Sequence, residues 1–215
     1  MNIKFGGNYM RLEILQNGIK YYEGMDDGHG LEHIKQVMIN MIKLIDIVER
    51  GEDIKLNKEL MLTAVLYHDS GNKIDRKEHH LIAGQIVRSE EYLKEIFTEE
   101  EIELIATMCE EHRSSRKEEC TSLMSAMLND ADSINTFENM VERSYKYHMK
   151  HDENKEYEFI FGRVYSHLKE KFGRNGYHRY RTQYTNELVN IEERYRILEN
   201  EKEFRKVFDK IAGKR

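Results

Sequence analysis

The chain contains no proline. None of its 215 residues is proline, and only 13 are glycine. These two residue types most often end or kink a helix, because proline lacks the backbone donor and glycine is conformationally loose. Long amphipathic segments therefore meet few interruptions along this chain. The sequence predicts an all-α fold.

Apolar residues recur every three or four positions in several segments, which is the pattern of helices with one buried face. Asn57 is suited to cap one of these helices, and Thr98 with Glu101 has the pattern of a capping box. The first 25 residues are compatible with a short helix or a strand. Five core helices are predicted, over about residues 31–50, 57–69, 79–97, 98–112 and 121–147.

The composition changes after about residue 148, where charged stretches alternate with spaced aromatic residues. This pattern predicts two or more amphipathic helices. No linker precedes them, so we predict a single domain over residues 1–215, with a core at about 26–147 and a helical extension at about 148–215. The aromatic faces suit packing over the core or a homodimer interface, and the sequence leaves both open.

The bulk properties limit the partners of the chain. Its net charge of −6 argues against nucleic acid or an anionic membrane as a partner. The basic and aromatic stretch Arg174–Arg181 resembles single-strand binders, although a packing surface or substrate cap fits an acidic chain better. The near-apolar run Leu60–Tyr67 is too short to span a membrane. Without a recognisable signal-peptide core, the chain is expected to be cytoplasmic.

A histidine and an aspartate close this apolar run. His68 and Asp69 follow Leu60–Tyr67, where a helix should be entering a protein core. Leaving both groups buried without a partner would cost several kcal/mol. A divalent metal ion is an economical partner, because neutral imidazole and carboxylate are both good ligands for it.

In chain order, His33, His68-Asp69 and Asp132 resemble the H…HD…D signature of the HD superfamily of metal-dependent phosphohydrolases. The resemblance covers about residues 26–137 well and the remainder loosely. It implies a five-helix HD-domain core with additional C-terminal helices. It also implies that these four residues hold a divalent metal ion. Because histidine and carboxylate ligands suit many metals, the ion could be Mn, Fe, Co, Ni, Zn or Mg.

The last ligand has two candidates on one predicted helix. Periodicity places Asp130 on the apolar line, whereas the family register matches the acidic ligand to Asp132. A central helix can be buried on all sides, in which case periodicity does not distinguish between the two positions. We therefore expect Asp132 to be the ligand and Asp130 to support or replace it.

Some HD subfamilies bind a second metal through a histidine in an H-x-x-x-G stretch and another about thirty residues later. His80 begins such a stretch, and His112 follows at about that distance. Glu111 stands where those relatives commonly have a further histidine. We therefore expect one metal, with His112 and Arg113 contacting the substrate phosphate, and keep the two-metal version as the alternative.

The resemblance implies an enzyme that hydrolyses a phosphate ester or anhydride with a metal-activated water. The expected substrate is a nucleotide or another small phosphorylated metabolite, and the choice among phosphomonoesterase, phosphodiesterase and pyrophosphohydrolase stays open. Asp69, Lys73, His112 and Arg113 are the predicted catalytic residues, and His29 is a weaker candidate for contacting substrate. The alternative is a non-catalytic regulator that binds metal or nucleotide on the same scaffold.

Overall fold

The computed structural model describes residues 2–5, 8–25 and 30–213. The chain is 69% helical, with eleven α-helices in the described residues, which confirms the predicted all-α class. A small antiparallel hairpin of β1 (Asn2–Phe5) and β2 (Asn8–Arg11) precedes them. The helices are α1 (Leu12–Ile19), α2 (Leu31–Gly51), α3 (Lys58–Tyr67), α4 (His79–Ser89), α5 (Glu91–Lys94), α6 (Glu99–Glu111), α7 (Leu123–Ser133), α8 (Phe137–His151), α9 (Tyr157–Phe172), α10 (Ile191–Glu199) and α11 (Glu201–Ala212).

Two helix starts that the sequence predicts are confirmed in detail. The Asn57 side chain accepts a hydrogen bond of 3.1 Å from the Leu60 backbone N–H and caps α3. Thr98 and Glu101 form a reciprocal capping box at the start of α6. These contacts satisfy backbone donors that have no partner inside the helix.

Two of the predicted core helices are interrupted, so their prediction as continuous helices was wrong. Residues 79–97 divide into α4 and α5 at Glu90, whose backbone is extended. Residues 121–147 divide into α7 and α8, because Ile134 is extended and the Thr136 side chain accepts a hydrogen bond from Asn139 N–H. Neither interruption is marked by proline or glycine.

The chain divides into two compact units. The first comprises Met1–Ile134 together with Tyr180–Thr185, and the second comprises Asn135–Arg179 together with Asn186–Arg215. The single domain expected from the sequence stays a prediction. His29, a candidate for contacting substrate, lies outside the described residues.

Helix α3 lies at the centre of the first unit. Every side chain of Leu60–Tyr67 is buried, with an exposed fraction of at most 2%. The helix packs against α2, α6, α7 and β2, which surround it with protein. Burial on all sides explains why this segment has no one-sided apolar stripe. It also brings the residues that follow Tyr67 into the interior of the unit.

The second unit has its own core of aromatic and aliphatic side chains from α8, α9, α10 and α11. Phe161 makes edge contacts with Phe204 and Phe208, and the Arg205 guanidinium lies 3.7 Å from the centre of the Phe161 ring. Such ring contacts add to the stabilisation from burial. None of the described helices of either unit has the length and apolar character needed to cross a membrane.

Candidate metal centre

The C-terminal end of α3 presents the first two residues of the centre. His68 caps the helix, and Asp69 begins a series of turns. Both are buried, with exposed fractions of 0% and 4%. Helix geometry separates adjacent side chains by about 100°, so two neighbours reach one point only where the helix ends. The end of α3 meets this condition.

Four acidic and histidine side chains meet around one point. His33 Nε2 lies 3.1 Å from Asp132 Oδ1 and 3.7 Å from Asp69 Oδ2. His68 Nε2 lies 3.6 Å from Asp69 Oδ2 and 3.7 Å from Asp132 Oδ1. We call His33, His68, Asp69 and Asp132 the first His/Asp group. These are the four residues that the family register predicts as ligands.

The other oxygen of Asp69 faces a second set of side chains. Asp69 Oδ1 lies 3.4 Å from His79 Nε2 and 3.5 Å from His112 Nε2, and the two Nε2 atoms are 3.2 Å apart. We call Asp69, His79 and His112 the second His/Asp group. Asp69 is therefore shared, with one carboxylate oxygen directed to each group.

Three of the histidines are oriented in the same way. Nδ1 of His68, His79 and His112 lies 2.7, 2.9 and 2.6 Å from the backbone oxygen three residues earlier. A carbonyl oxygen only accepts, so each Nδ1 must carry the proton and donate it. In the neutral ring, Nε2 then keeps a free lone pair directed into the centre. A second hydrogen bond of this kind is typical of metal-ligating histidines.

The spacing of the donor atoms fits a divalent ion. His68 Nε2 is buried and makes no hydrogen bond, since its nearest carboxylate oxygens at 3.6 and 3.7 Å are too distant. Two N/O ligands about 2.1 Å from one ion lie roughly 3 to 3.6 Å apart. In both groups, the ligand atoms of three residues lie within 4.8 Å of one another. The centre can therefore hold a metal ion, whose identity these ligand types leave open.

Opposite charges within the centre partly compensate each other. Burial lowers the pKa of His68, but the charge on Asp69 and the contact with Asp132 outweigh it and raise the pKa to about 9. Burial raises the pKa of Asp132, yet its contacts with His33 and His68 hold the pKa well below its usual value. Burial and the charge on His112 lower the pKa of His79 to about 4, so His79 is neutral at neutral pH.

Three helices direct their C-terminal ends at the centre. His68 caps α3, His112 caps α6, and Asp132 is the penultimate residue of α7. The last carbonyl groups of a helix carry a partial negative charge. The backbone therefore adds to the attraction of the two carboxylates for a cation.

A glycine determines which histidine of α4 reaches the centre. A Cβ atom on Gly71 would lie 2.4 Å from the His79 carbonyl oxygen and 2.8 Å from Ile82 Cβ, so no other residue fits. This close approach brings the first residue of α4, His79, next to Asp69. The neighbouring His80, which the two-metal alternative uses as a ligand, lies in neither group. The only sequence signal that pointed to His79 was its position next to His80.

The remaining predicted site residues, Arg113, His80 and Lys73, lie outside both His/Asp groups. The Arg113 side chain is half-buried and donates a hydrogen bond of 2.8 Å to the Lys77 carbonyl. Burial and the charge of Arg113 lower the pKa of His80, which places the guanidinium close to that ring. Lys73 is exposed in the loop between α3 and α4. All three residues lie close to the centre in sequence, and their roles stay predictions.

Glu111 faces away from the centre. Its buried carboxylate accepts hydrogen bonds from the backbone and hydroxyl of Thr121, at 2.9 and 3.1 Å, and from Arg116 at 3.3 Å. These contacts hold the loop between α6 and α7. The residue that weakened the two-metal hypothesis in the sequence therefore has a structural partner of its own.

Asp130 binds a segment that is distant in sequence. Its carboxylate accepts hydrogen bonds from the backbone of Arg181 and Thr182 and from the hydroxyls of Thr182 and Thr185, at 2.6 to 2.9 Å. Burial raises its pKa, while these donors act in the opposite direction. Asp130 anchors residues 181–185 within the first unit, and Asp132 faces the histidines.

Replacing Asp130 with alanine should therefore destabilise the protein without changing its metal content. Four donors would lose a buried charged acceptor, which should lower the free energy of unfolding by about 3 kcal/mol. Urea denaturation and elemental analysis of the purified variant measure the two effects. A variant of normal stability that has lost metal would show instead that Asp130 is a ligand.

The basic stretch near residue 180 has partners within each unit. In the second unit, Arg174 lies 2.9 Å from Glu192 and 3.0 Å from Glu199, and it stacks on Tyr195. In the first unit, the Arg181 side chain is 10% exposed and donates to the Arg116 carbonyl. Both arginines thus have acidic, aromatic or carbonyl partners within their own unit, and the role of the stretch stays a prediction.

Comparison of the chain with family models, with curated proteins and with solved structures found no match. The resemblance to the HD superfamily therefore depends on the sequence motif and stays a prediction.

Proposed function

We propose that this protein is a metal-dependent phosphohydrolase of the HD type that acts on a nucleotide or another small phosphorylated metabolite. The observation that carries the proposal is the shared carboxylate of Asp69, which directs one oxygen to each His/Asp group. Paired metal ions joined in this way are common in enzymes that transfer phosphoryl groups to water.

The geometry supports two ions better than the single ion that the sequence favours. The first group would hold one ion, and the second group the other. In the second group, His79 and His112 direct their Nε2 atoms at each other across 3.2 Å, while both Nδ1 atoms are committed to carbonyl oxygens. When both rings are neutral, their Nε2 lone pairs face each other and repel, and a bound cation would remove that repulsion. His79 thus takes the part that the sequence assigns to His80.

The charge of the loaded centre favours an anionic substrate. The two groups contain two carboxylates, those of Asp69 and Asp132, and otherwise neutral histidines. Two divalent ions would leave an excess of positive charge in a buried environment. A phosphate ester or anhydride supplies the compensating negative charge. Neutral substrates would lack this attraction.

Divalent ions held here would activate a water molecule and stabilise the charge that develops on the phosphoryl group. The chain itself orients the centre, because the carbonyl partners of His68, His79 and His112 fix the direction of each ring. In this proposal, Arg113 and Lys73 are the residues that donate hydrogen bonds to phosphate oxygens.

Access to the centre is uneven. The Asp132 and His79 side chains are 23% and 12% exposed, whereas those of His68, Asp69 and His112 are at most 5% exposed. The substrate should therefore approach from the side of Asp132 and His79. The buried side excludes bulk water from the shared carboxylate, which strengthens its electrostatic interactions.

Hydrolysis of a substrate panel tests the function. Protein stripped with a chelator and reloaded separately with Mn²⁺, Fe²⁺, Co²⁺, Ni²⁺, Zn²⁺ or Mg²⁺ should hydrolyse at least one nucleoside mono- or triphosphate, cyclic nucleotide, (p)ppGpp or sugar phosphate. Phosphate release and chromatography of products measure turnover. The stripped protein should be inactive.

The alternative, a non-catalytic regulator, makes a different prediction for the same experiment. It would bind metal, and a nucleotide would raise its melting temperature without being consumed. Stable metal binding without turnover of any substrate would favour this alternative. Failure to bind any ion would contradict both functions.

A further inference from the structure

Two buried asparagines bind the backbone on both sides of a residue of the centre. Asn129 Nδ2 donates hydrogen bonds of 3.1 and 3.0 Å to the carbonyl oxygens of Glu111 and Arg113, the two neighbours of His112. Asn40 Nδ2 donates hydrogen bonds of 2.8 and 2.9 Å to the carbonyl oxygens of Ala131 and Ile134, which flank Asp132. Both asparagines are at most 2% exposed.

Three of these contacts, to the carbonyls of Glu111, Ala131 and Ile134, bind oxygens at the ends of α6 and α7, where no further helical turn supplies a backbone N–H. The Arg113 carbonyl lies just beyond α6 and also accepts a hydrogen bond of 3.1 Å from the Arg116 N–H. An amide NH₂ carries two hydrogens and can therefore bind two such oxygens at once. Each asparagine fixes the peptide group directly before a residue of the centre and a second carbonyl one or two residues after it, which restricts the direction of that residue's Cα–Cβ bond. Asn129 thereby restricts His112, and Asn40 restricts Asp132.

Each asparagine is itself part of a helix that contributes to the centre. Asn40 lies two turns after His33 on α2, and Asn129 lies one turn before Asp132 on α7. Gln36 donates a hydrogen bond of 2.9 Å to Asn40 Oδ1 and orients its amide. Through Asn40, helix α2 thus binds the C-terminal end of α7. Through Asn129, α7 binds the C-terminal end of α6. The two contacts align three of the helices that supply the His/Asp groups.

We propose that Asn40 and Asn129 are positioning residues for the metal centre. Asn40 sets Asp132 in the first His/Asp group, and Asn129 sets His112 in the second. This inference rests on the proposed metal centre. It assigns each asparagine to a different ion, so each replacement should weaken the binding of one ion only. A purely structural role would instead affect folding and would not distinguish between the two ions.

The test replaces each asparagine with leucine, which has a similar volume and no N–H donor. Metal-free wild-type protein, Asn40→Leu and Asn129→Leu would each be titrated with Mn²⁺ in a calorimeter. Replacing an outer partner of a metal ligand typically weakens metal affinity by about 10- to 100-fold. Asn129→Leu should weaken one binding step by this factor and leave the other unchanged. Asn40→Leu should weaken the other binding step, the one that Asn129→Leu leaves unchanged.

The steps are assigned with ligand variants. Added to Asn129→Leu, His79→Ala should remove the weakened step, because both changes affect the second group. Added to Asn40→Leu, it should leave that weakened step in place. Asn40→Ser and Asn129→Ser retain a hydroxyl donor, should fold if the leucine variants do not, and should show smaller changes of the same kind.

The matched control is Tyr165→Phe, which removes a 3.0 Å hydrogen bond from a side chain to the Leu198 carbonyl in the second unit. It should lower the melting temperature and leave both affinities unchanged. Asparagine variants that behave like this control would overturn the inference, as would equal weakening of both steps. Wild-type protein that binds no Mn²⁺ would overturn the metal centre and the inference together. Two tightly bound ions in every variant would overturn the inference alone.

Discussion

Replacing Asp69 with asparagine should remove metal from both His/Asp groups and lower hydrolysis by orders of magnitude. The two Asp69 oxygens lie 3.4 to 3.7 Å from histidine nitrogens on both sides of the centre. Asparagine keeps the shape of the side chain but loses the charge and one of the two ligand oxygens. Neither group would then retain a complete set of donors, and the water and the phosphoryl group would lose their electrostatic support.

The Asp69→Asn protein should still fold. Without metal, Asp69 is a buried carboxylate held among histidines, and loss of its charge also removes a desolvation penalty. Circular dichroism and elemental analysis would separate folding from metal loss. Asp46→Asn is the matched control, since Asp46 is an exposed aspartate of α2 that pairs with Lys58 at 3.4 Å. An active Asp69→Asn protein with normal metal content would place the reaction elsewhere.

The adjacent histidines at the start of α4 provide the second large effect. His79→Ala should reduce the metal content from about two ions per chain to about one and should abolish most turnover. His79 Nε2 is within 3.4 Å of both Asp69 and His112, so its loss leaves the second His/Asp group with two residues. Elemental analysis after chelator treatment and reloading would measure the content.

His80→Ala is the control for this change, because each variant removes one of two adjacent histidine side chains at the start of α4. It should retain both ions, and any loss of activity should reflect weaker substrate binding beside Arg113. A protein that loses one ion on replacement of His80, and none on replacement of His79, would instead support the H-x-x-x-G histidine as the ligand.

The sequence correctly predicts the helix starts that depend on side chains close in sequence. The caps at Asn57 and Thr98 depend on side chains within one turn, so a short pattern is sufficient to find them. The interruptions at Glu90 and at residues 134–136 are different. They lack proline and glycine, and the Ile134 carbonyl is bound by Asn40, which is 94 residues away. A local pattern contains no information about such a contact.

The same distinction applies to the centre. The order of His33, His68, Asp69 and Asp132 is a property of the sequence, and the structure brings these four residues together. Periodicity correctly placed Asp130 in the interior. Its partners, however, come from residues 181–185, and only the tertiary structure shows that it is already occupied.

The choice between His79 and His80 depends on the backbone rather than on spacing. Two adjacent residues of a helix point about 100° apart, and the rotation of α4 decides which one faces Asp69. That rotation follows from the close contact of Gly71 with the His79 carbonyl. The motif identifies the neighbourhood of the ligand, and the packing of one glycine selects the residue.

If the protein is the proposed phosphohydrolase, the three helix C-termini at the centre predict the order in which metal and substrate bind. Before any ion is bound, a phosphate group would meet the carbonyl ends of α3, α6 and α7 and the carboxylates of Asp69 and Asp132. These groups repel an anion. For the proposed phosphohydrolase, substrate should therefore enter second, after the cations have reversed the local potential, and excess substrate should not compete with metal for binding.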